Sequence, residues 1–209
     1  MGLFDGLLRQ GARAATQQAM NTAVNNAVNT AMNNAGAAQQ ATGNYKAQAF
    51  TFASLPTDVA TLTALPEASL DSPFKTAALT LVALMQYENN PEMCFQMLDA
   101  LRGPDPMTPV AKSFIKERLS GKMYVVRSYF AGATQQNNYT PVQPYTVSIM
   151  ENPYSYPEEN WATMFVQSTG ADSPRQIKLR KKPSTGQWFL NDIQCLSDIR
   201  MPAAADPWA

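Results

Sequence analysis

Few side chains in this sequence could perform acid–base or nucleophilic chemistry. Histidine, the most common general base near neutral pH and the most common metal ligand, is absent from all 209 residues. Mechanisms that pair a serine or cysteine nucleophile with histidine are therefore excluded. Cys94 and Cys195 are distant in sequence and form no CxxC pair, which predicts reduced, buried thiols. A metal site would need oxygen ligands, alone or with these thiols, and we predict neither a metal nor a cofactor.

Carboxylates remain as candidate acids and bases, because two of them can share the work of proton transfer. The candidates are Asp172, Asp192, Asp198, Glu151, Glu158 and Glu159. No spacing singles out a pair among them. The sequence also has no GxSxG, no phosphate-binding loop, no GxGxxG and no acidic metal loop. We therefore favour a protein without catalytic activity. The alternative is a small-molecule- or peptide-modifying enzyme that uses Asp and Arg residues in a pocket between helices and sheet.

Arg127 is a candidate for binding a carboxylate, because a guanidinium can hold a carboxylate through two parallel hydrogen bonds. It opens the segment RSYFAG, residues 127–132. The carboxylate could belong to a ligand or to the protein itself, with Asp172 and Asp198 as internal candidates. The internal pair is the favoured interpretation, and the same alternatives apply to Arg175 and Arg200.

Aromatic residues and prolines alternate densely between residues 139 and 161. The aromatic candidates for binding are Tyr139, Tyr145, Tyr154, Tyr156 and Trp161. Tyrosine and tryptophan offer a large contact area at low entropic cost, which suits a recognition surface on loops held by a rigid scaffold. The other interpretation is that these aromatics form a flap over one open face of a sheet.

The segment RQIKLRKK, residues 175–182, alternates apolar and basic side chains. Ile177 and Leu179 are expected on one face of a strand, and Lys178, Arg180 and Lys182 on the other. The basic face is either solvated, which would discourage aggregation of the strand, or it binds an anion.

The charge balance argues against nucleic acid as a partner. Lys plus Arg and Asp plus Glu number 16 each, which gives a formal net charge of zero, whereas nucleic-acid binding needs a basic footprint. No segment approaches the roughly 20 apolar residues of a membrane-spanning helix. The start MGLFDGLLRQG has neither a basic region nor a long apolar core and so does not resemble a secretory signal. We expect a cytoplasmic protein.

The elements that must position these residues change in type along the chain. The predicted helices cover residues 56–65, 73–88, 91–102 and 110–119, from apolar spacing and from helix-start and helix-stop signals. The predicted strands cover residues 145–150, 162–169, 175–182 and 187–191, and residues 46–53 alternate weakly and could add a short one. Helices first and strands later predict an α+β fold. A helical first half would pack on an antiparallel sheet of about four strands.

The first 35 residues form a low-complexity arm that is rich in Ala and Asn. Its segment MNTAVNNAVNTAMNNA, residues 20–35, aligns Met20, Val24, Val28 and Met32 in one row at i, i+4 spacing, beside a row of alanines. This pattern predicts an amphipathic helix. Asn and Thr are poor helix formers, so the helix needs a surface to lie on. A linker, residues 36–44, and a single domain, residues 45–209, are predicted to follow.

Three interpretations of the arm stay open. It is a loosely ordered tail, or it self-associates or docks on a partner helix through the Met20 row. The third is peripheral contact with a membrane surface through Leu3, Phe4, Leu7 and Leu8. This last interpretation is the weakest, because membrane-surface helices are rich in Lys and Arg on their polar face.

The second part of the chain contains a distinctive set of motifs. They are LPEASLDSPFKTAALT (65–80), RSYFAGAT (127–134), NNYTPVQPYTV (138–147), ENPYSYPEEN (151–160), ADSPRQIKLRKK (171–182), GQWFL (186–190), DIRMP (198–202) and DPWA (206–209). With these motifs, residues 50–209 resemble an uncharacterised family of bacterial domains, mostly from Gram-positive gut bacteria. The resemblance implies a single domain in a bacterial cytoplasm. It assigns no catalytic residue and does not include the arm.

Taken together, these patterns favour a non-catalytic cytoplasmic binding or assembly module. The arm would mediate self-association or docking on a protein partner, and the aromatic loops would form a recognition surface.

Removal of the arm tests its role in association. If the arm mediates self-association, the full-length chain has the molar mass of an oligomer in light scattering after size-exclusion chromatography. A chain that starts at Asn44 then has the molar mass of a monomer. An unchanged oligomeric state would contradict association through the arm.

Overall fold

The computed structural model describes residues 46–208. The predicted arm and linker, residues 1–35 and 36–44, lie outside the described residues, and so do Met20, Val24, Val28 and Met32. After one initial strand, the described chain forms helices first and antiparallel strands later. The predicted α+β class is confirmed.

The described region contains five strands and five α-helices. The strands are β1 (Ala47–Phe52), β2 (Tyr145–Met150), β3 (Trp161–Val166), β4 (Arg175–Lys181) and β5 (Trp188–Gln194). The α-helices are α1 (Val59–Thr63), α2 (Pro73–Met85), α3 (Pro91–Arg102), α4 (Pro109–Leu119) and α5 (Tyr124–Arg127). Short 3-10 turns lie at Pro66–Ser69, Gln86–Glu88, Gln135–Asn137 and Ala203–Ala205.

Side-chain caps and prolines explain where the helices begin. Asp58, Asn90 and Thr108 each accept a hydrogen bond from the backbone N–H three residues later, at 2.7, 3.1 and 3.2 Å. These bonds satisfy N–H groups that have no partner within the helix. Helices α2, α3 and α4 each begin with a proline. Its fixed φ suits the first helical position, and its missing N–H costs nothing there.

Helix α2 lies at the centre of the core. Every one of its residues except Lys75 is buried, because the helix contacts the sheet on one side and α3 on the other. Its two threonines find partners despite burial: the Thr76 hydroxyl donates to the Trp188 carbonyl at 2.7 Å, and the Thr80 hydroxyl donates to the Thr76 carbonyl at 2.8 Å. An apolar sequence with satisfied polar groups therefore gives a helix without a solvent face.

The sheet of the described region has five antiparallel strands in the order β1-β2-β3-β4-β5. The sequence predicted about four strands, and that number is too low by one. The additional strand is β1, which pairs with β2 along its whole length. The weak alternation has a physical reason. As an edge strand, β1 buries only Phe52 and half-buries Phe50, and its other residues are exposed.

Residues 128–133 separate β2 from the chain that follows β3. β2 and β3 pair directly at only two positions. Beyond them, the Ala131 N–H donates to the Thr146 carbonyl at 2.8 Å on the β2 side. On the other side, the Thr169 N–H donates to the Ser128 carbonyl at 3.1 Å. The buried Ser168 hydroxyl also donates to the Ser128 hydroxyl, at 2.6 Å. Residues 128–133 are therefore inserted between β2 and the chain after β3, with hydrogen bonds to both.

Gly103, which ends α3, offers a test of the packing between helices and sheet. It has φ +63° and ψ −115°, and a Cβ atom there would lie 2.5 Å from the Phe189 ring. Gly121 also has a positive φ, +67°, but no neighbour within 4 Å of such a Cβ atom.

We expect Gly121→Ala to lower the free energy of unfolding by about 1 kcal/mol, because of backbone strain alone. Gly103→Ala should lower it by about 3 kcal/mol, because the clash with Phe189 adds to the strain. Chemical denaturation measures both, and equal losses would contradict the contact with Phe189.

Candidate recognition groove

A groove lies on the face of the sheet that points away from the helices. Side chains alternate along β3 and β4, so that Met164, Ile177 and Leu179 are buried towards the helices. Their neighbours Thr163 and Lys178 point to the opposite face and line the groove. The groove therefore occupies the open face, and the face that packs on the helices is filled by core side chains.

The groove has a volume of about 580 Å³. The loop between β2 and β3 contributes Tyr154, Pro157 and Glu158; β3 contributes Trp161, Ala162, Thr163 and Phe165; β4 contributes Gln176 and Lys178; and β5 contributes Asn191 and Asp192. Aromatic rings and a proline thus lie beside three side chains that carry charge. This mixture is typical of binding sites, in which apolar walls supply contact area and a few polar groups fix orientation.

The loop that forms one wall of the groove, residues 151–160, is held by its own hydrogen bonds. The Asn152 N–H donates to the Ser155 hydroxyl at 2.9 Å, and the Tyr154 N–H donates to the Asn152 side-chain oxygen at 2.8 Å. The Ser155 carbonyl then accepts from the Thr163 N–H of β3 at 2.7 Å. Ser155 is fully buried, so the loop is anchored at its middle. Its anchoring leaves Tyr154 projecting, with 79% of the residue exposed.

Tyr156 forms a second attachment within this loop. Its hydroxyl donates to the Glu151 carboxylate at 3.0 Å. Partial burial, and then the hydrogen bond and the negative charge of Glu151, raise the pKa of Tyr156 to about 12. Removal of the phenolic proton would place two negative charges side by side, which explains the direction of the shift.

Charged side chains on β4 and β5 form the floor of the groove. Lys178 lies opposite Asp192 in the register of the two strands, and Asp192 accepts a hydrogen bond from the Gln194 amide at 2.8 Å. The register shifts between Lys178 and Leu179. Such an irregularity re-aims side chains, and here the consecutive residues Asn191 and Asp192 both line the groove.

Trp161 is held at the edge of the groove by a cationic neighbour. The guanidinium carbon of Arg180, its partner in the β3–β4 register, lies 5.2 Å from the centre of the Trp161 ring. A guanidinium over an aromatic face is attracted by the quadrupole of the ring. The contact fixes the indole without covering the groove.

The predicted aromatic set divides between this groove and the core. Tyr154 and Trp161 line the groove, and Tyr156 lies half-exposed in the same loop. Tyr145 starts β2, where its ring packs edge-on against Phe130 at 6.2 Å. The predicted aromatic set therefore does not lie on a single surface.

Tyr139 requires a correction, because it is fully buried and cannot belong to an exposed surface. Its ring stacks on Tyr124 with centres 5.9 Å apart, and its hydroxyl donates to the Arg200 carbonyl at 2.9 Å. A buried phenol needs such a partner. The segment that is dense in aromatic residues therefore contains a buried structural tyrosine as well as tyrosines at the surface.

Arg127 pairs within the protein, as favoured, but with a different carboxylate. It binds Glu88, which directly follows α2 in a 3-10 turn, and not Asp172 or Asp198. Asp172 instead binds Arg200. Arg127 lies in α5 and is not among the residues that line the groove, so it does not join the aromatic candidates.

Sequence reasoning missed Phe165, Gln176 and Asn191 as members of the groove. The signal was present in part, because the outward positions of β3 and β4 follow from alternation once the inward positions are known. Lys178 was predicted to face outward and does so. Two carboxylates, Glu158 and Asp192, accompany it in the groove, which argues against the anion-binding interpretation of this face.

Within residues 46–208 the candidate metal ligands and the two thiols form no metal site. No cluster of three or more His, Cys, Asp or Glu side chains could hold a metal there. Cys94 and Cys195 are unpaired and buried, and burial raises the pKa of each thiol to about 12. No described helix is both long enough and apolar enough to cross a membrane.

Comparison with known proteins identifies one family. The family model described as a domain of unknown function, DUF6935, matches residues 54–203. The chain belongs to the DUF6935 family. This confirms the resemblance to a family without an assigned activity. Neither a curated protein nor a solved structure matches the chain.

The DUF6935 match places the groove inside the family's domain. The groove residues run from Tyr154 to Asp192, within the matched range of 54–203. The arm and β1 precede that range. The groove is thus a feature of the family's part of this chain, whereas β1 adds a strand to the edge of that part.

The hydrogen bond between Tyr156 and Glu151 can be tested by titration. We expect Glu151→Gln to lower the pKa of Tyr156 from about 12 towards its ordinary value, because the negative charge is removed while partial burial remains. The measurement is the ultraviolet absorbance of tyrosinate, with each protein compared with its own Tyr156→Phe derivative. Glu158→Gln, in the same loop, is the control and should leave this pKa unchanged. An unchanged pKa in Glu151→Gln would show that the carboxylate does not contact the phenol.

Proposed function

We propose that this DUF6935 chain is a non-catalytic cytoplasmic binding or assembly module that recognises an extended peptide segment in the groove. The observation that carries the proposal is the combination of Tyr154, Pro157, Trp161 and Phe165 in one open concavity. Rigid aromatic side chains bury large areas on binding with little loss of conformational entropy, and they dominate the energy of many interfaces.

The charges of the groove indicate the chemistry of the segment. Glu158 and Asp192 outnumber Lys178, so a basic side chain of the ligand would find more attraction than an acidic one. The aromatic walls of the groove suit an apolar side chain. The proposed ligand is therefore an extended segment with apolar and basic side chains.

The arm supplies the assembly part of the proposal. The apolar row of Met20, Val24, Val28 and Met32 would associate with a protein partner or with the arm of a second copy. The balanced charge supports protein over nucleic acid as the partner. Peripheral contact with a membrane is the less favoured role of the arm.

One observation favours a catalytic alternative. Glu158 and Asp192 line the same groove, and two carboxylates on either side of a substrate can act as acid and base. This site differs from the pocket between helices and sheet that the sequence suggested, and no arginine lines it. A small-molecule- or peptide-modifying enzyme therefore remains the second candidate, with these two residues in place of Asp and Arg.

Selection of peptides on the full-length protein tests the proposal. A library of random peptides should yield binders that carry apolar and basic residues. We expect Tyr154→Ala to raise the dissociation constant of such a peptide about tenfold or more, because it removes an exposed anchor. Trp208→Ala is the matched control: Trp208 is an aromatic residue with 93% exposure that does not line the groove. Fluorescence anisotropy of a labelled peptide measures both.

The outcomes separate the two candidates. Peptides that bind Tyr154→Ala and the unaltered protein equally would contradict recognition in the groove. A change in the mass of the peptide after incubation, lost in both Glu158→Gln and Asp192→Asn, would establish the enzyme instead.

A further inference from the structure

Strand β1 presents backbone groups that no described residue binds. The Lys46 carbonyl accepts from the Glu151 N–H at 3.0 Å and therefore points towards β2. Because backbone groups alternate in direction along a strand, Gln48 and Phe50 also face β2. The N–H and C=O groups of Ala47, Ala49 and Thr51 then point away from the sheet. These three residues are exposed, and within residues 46–208 their outward groups have no backbone partner.

The opposite edge of the sheet is occupied by the helical half. The Trp188 N–H of β5 donates to the Leu70 carbonyl at 2.8 Å. The Trp188 carbonyl accepts from the Thr76 hydroxyl, and the Asn191 carbonyl accepts from Arg102. The fold thus covers one of its two edges with its own residues, and the described chain leaves the other uncovered.

The uncovered edge lacks the features that usually prevent edges from pairing. The sequence of β1, AQAFTF, contains no charged residue and no proline, and its pairing with β2 shows no bulge. Charges, prolines and bulges are the common means by which proteins protect an edge strand. A neutral strand of six residues without a bulge is instead a template for another strand.

We propose that β1 pairs with β1 of a second copy of this chain, antiparallel, around a two-fold axis through Ala49. Ala49 then lies opposite Ala49 of the second copy, and Ala47 lies opposite Thr51. All outward N–H and C=O groups of the strand gain partners in this register. The axis is perpendicular to the sheet, so the helices of both copies lie on the same side. The two-fold axis makes the interface isologous.

The side chains of β1 suit pairing with itself. On the outer face, small residues meet, because Ala49 faces its own copy and Ala47 faces Thr51. On the inner face, Gln48 lies opposite Phe50, whose ring is only half-buried in the single chain. No like charges oppose each other along the strand, which would otherwise weaken the pair. The strand is therefore complementary to itself without any change of conformation.

Substitutions at Ala49 test the pairing in the full-length chain. Ala49→Pro removes the central outward N–H but no hydrogen bond to β2, and each copy loses one bond across the axis. Ala49→Lys places two positive charges opposite each other. We expect each substitution to weaken the dimer about tenfold or more, whereas Ala49→Thr, a neutral strand former, leaves it intact. Sedimentation velocity over a range of concentrations measures association, and thermal melting verifies that each variant folds.

Hydrogen exchange supplies a second readout. Amides of residues 46–53 should become more protected as protein concentration rises, and Ala49→Lys should abolish this dependence. Three results would overturn the pairing: a monomer at all concentrations, protection of these amides that is independent of concentration, or a dimer that Ala49→Lys leaves unchanged. A dimer lost only when the chain starts at Asn44 would assign association to the arm. The pairing does not rest on recognition in the groove, so the peptide experiments and these succeed or fail separately.

Discussion

Helix α2 is buried along almost its entire length, and the rest of the described domain is arranged around it. Each large apolar side chain that it buries, such as Leu79, Leu81 and Leu84, contributes roughly 1.5–3 kcal/mol. A helix without a solvent face needs cover on all sides, and the sheet supplies one side while the neighbouring helices supply the others. The helices that contact the sheet therefore lie on one of its two faces. The opposite face is left to solvent, and the groove exists because of this asymmetry.

Tyrosines hold the later part of the chain against that core. The buried Tyr129 hydroxyl donates to the Cys195 carbonyl, and burial raises the pKa of Tyr129. Tyr139 reaches the Arg200 carbonyl in the same way, and the Arg200 N–H donates to the Gly170 carbonyl at 2.9 Å. A buried hydroxyl without a partner would be costly, so each bond fixes the place where the chain can lie. These tyrosines act as structural ties, which explains why fewer aromatic residues lie at the surface than their density in the sequence indicated.

The sequence predicted those features that depend on local order. The apolar composition of α2, the prolines at helix starts and the alternation of β4 are local signals, and the structure has a helix, helix starts and a strand at these places.

What the sequence did not predict depends on contacts between distant residues. The partner of Arg127 is Glu88, which lies 39 residues earlier in the chain. The insertion of residues 128–133 beside β2 likewise has no local signal, because its bonds join segments that lie apart in the chain. For the groove, alternation gave the direction of Lys178, but only the path of the loop brought Tyr154 and Pro157 to the same place.

The groove and the edge at β1 lie in different parts of the same sheet. The groove is built on β3, β4 and β5, whereas the edge that no residue within 46–208 covers is β1, with β2 between them. Neighbouring strands are about 4.8 Å apart, so a strand added at β1 would not reach the groove. A two-fold axis perpendicular to the sheet keeps the outer faces of both copies on one side. Two grooves on one surface would bind a partner with repeated segments more tightly than either groove alone, because the second contact becomes intramolecular. An edge strand that lies before the DUF6935 region would in this way convert a single recognition domain into a bivalent one.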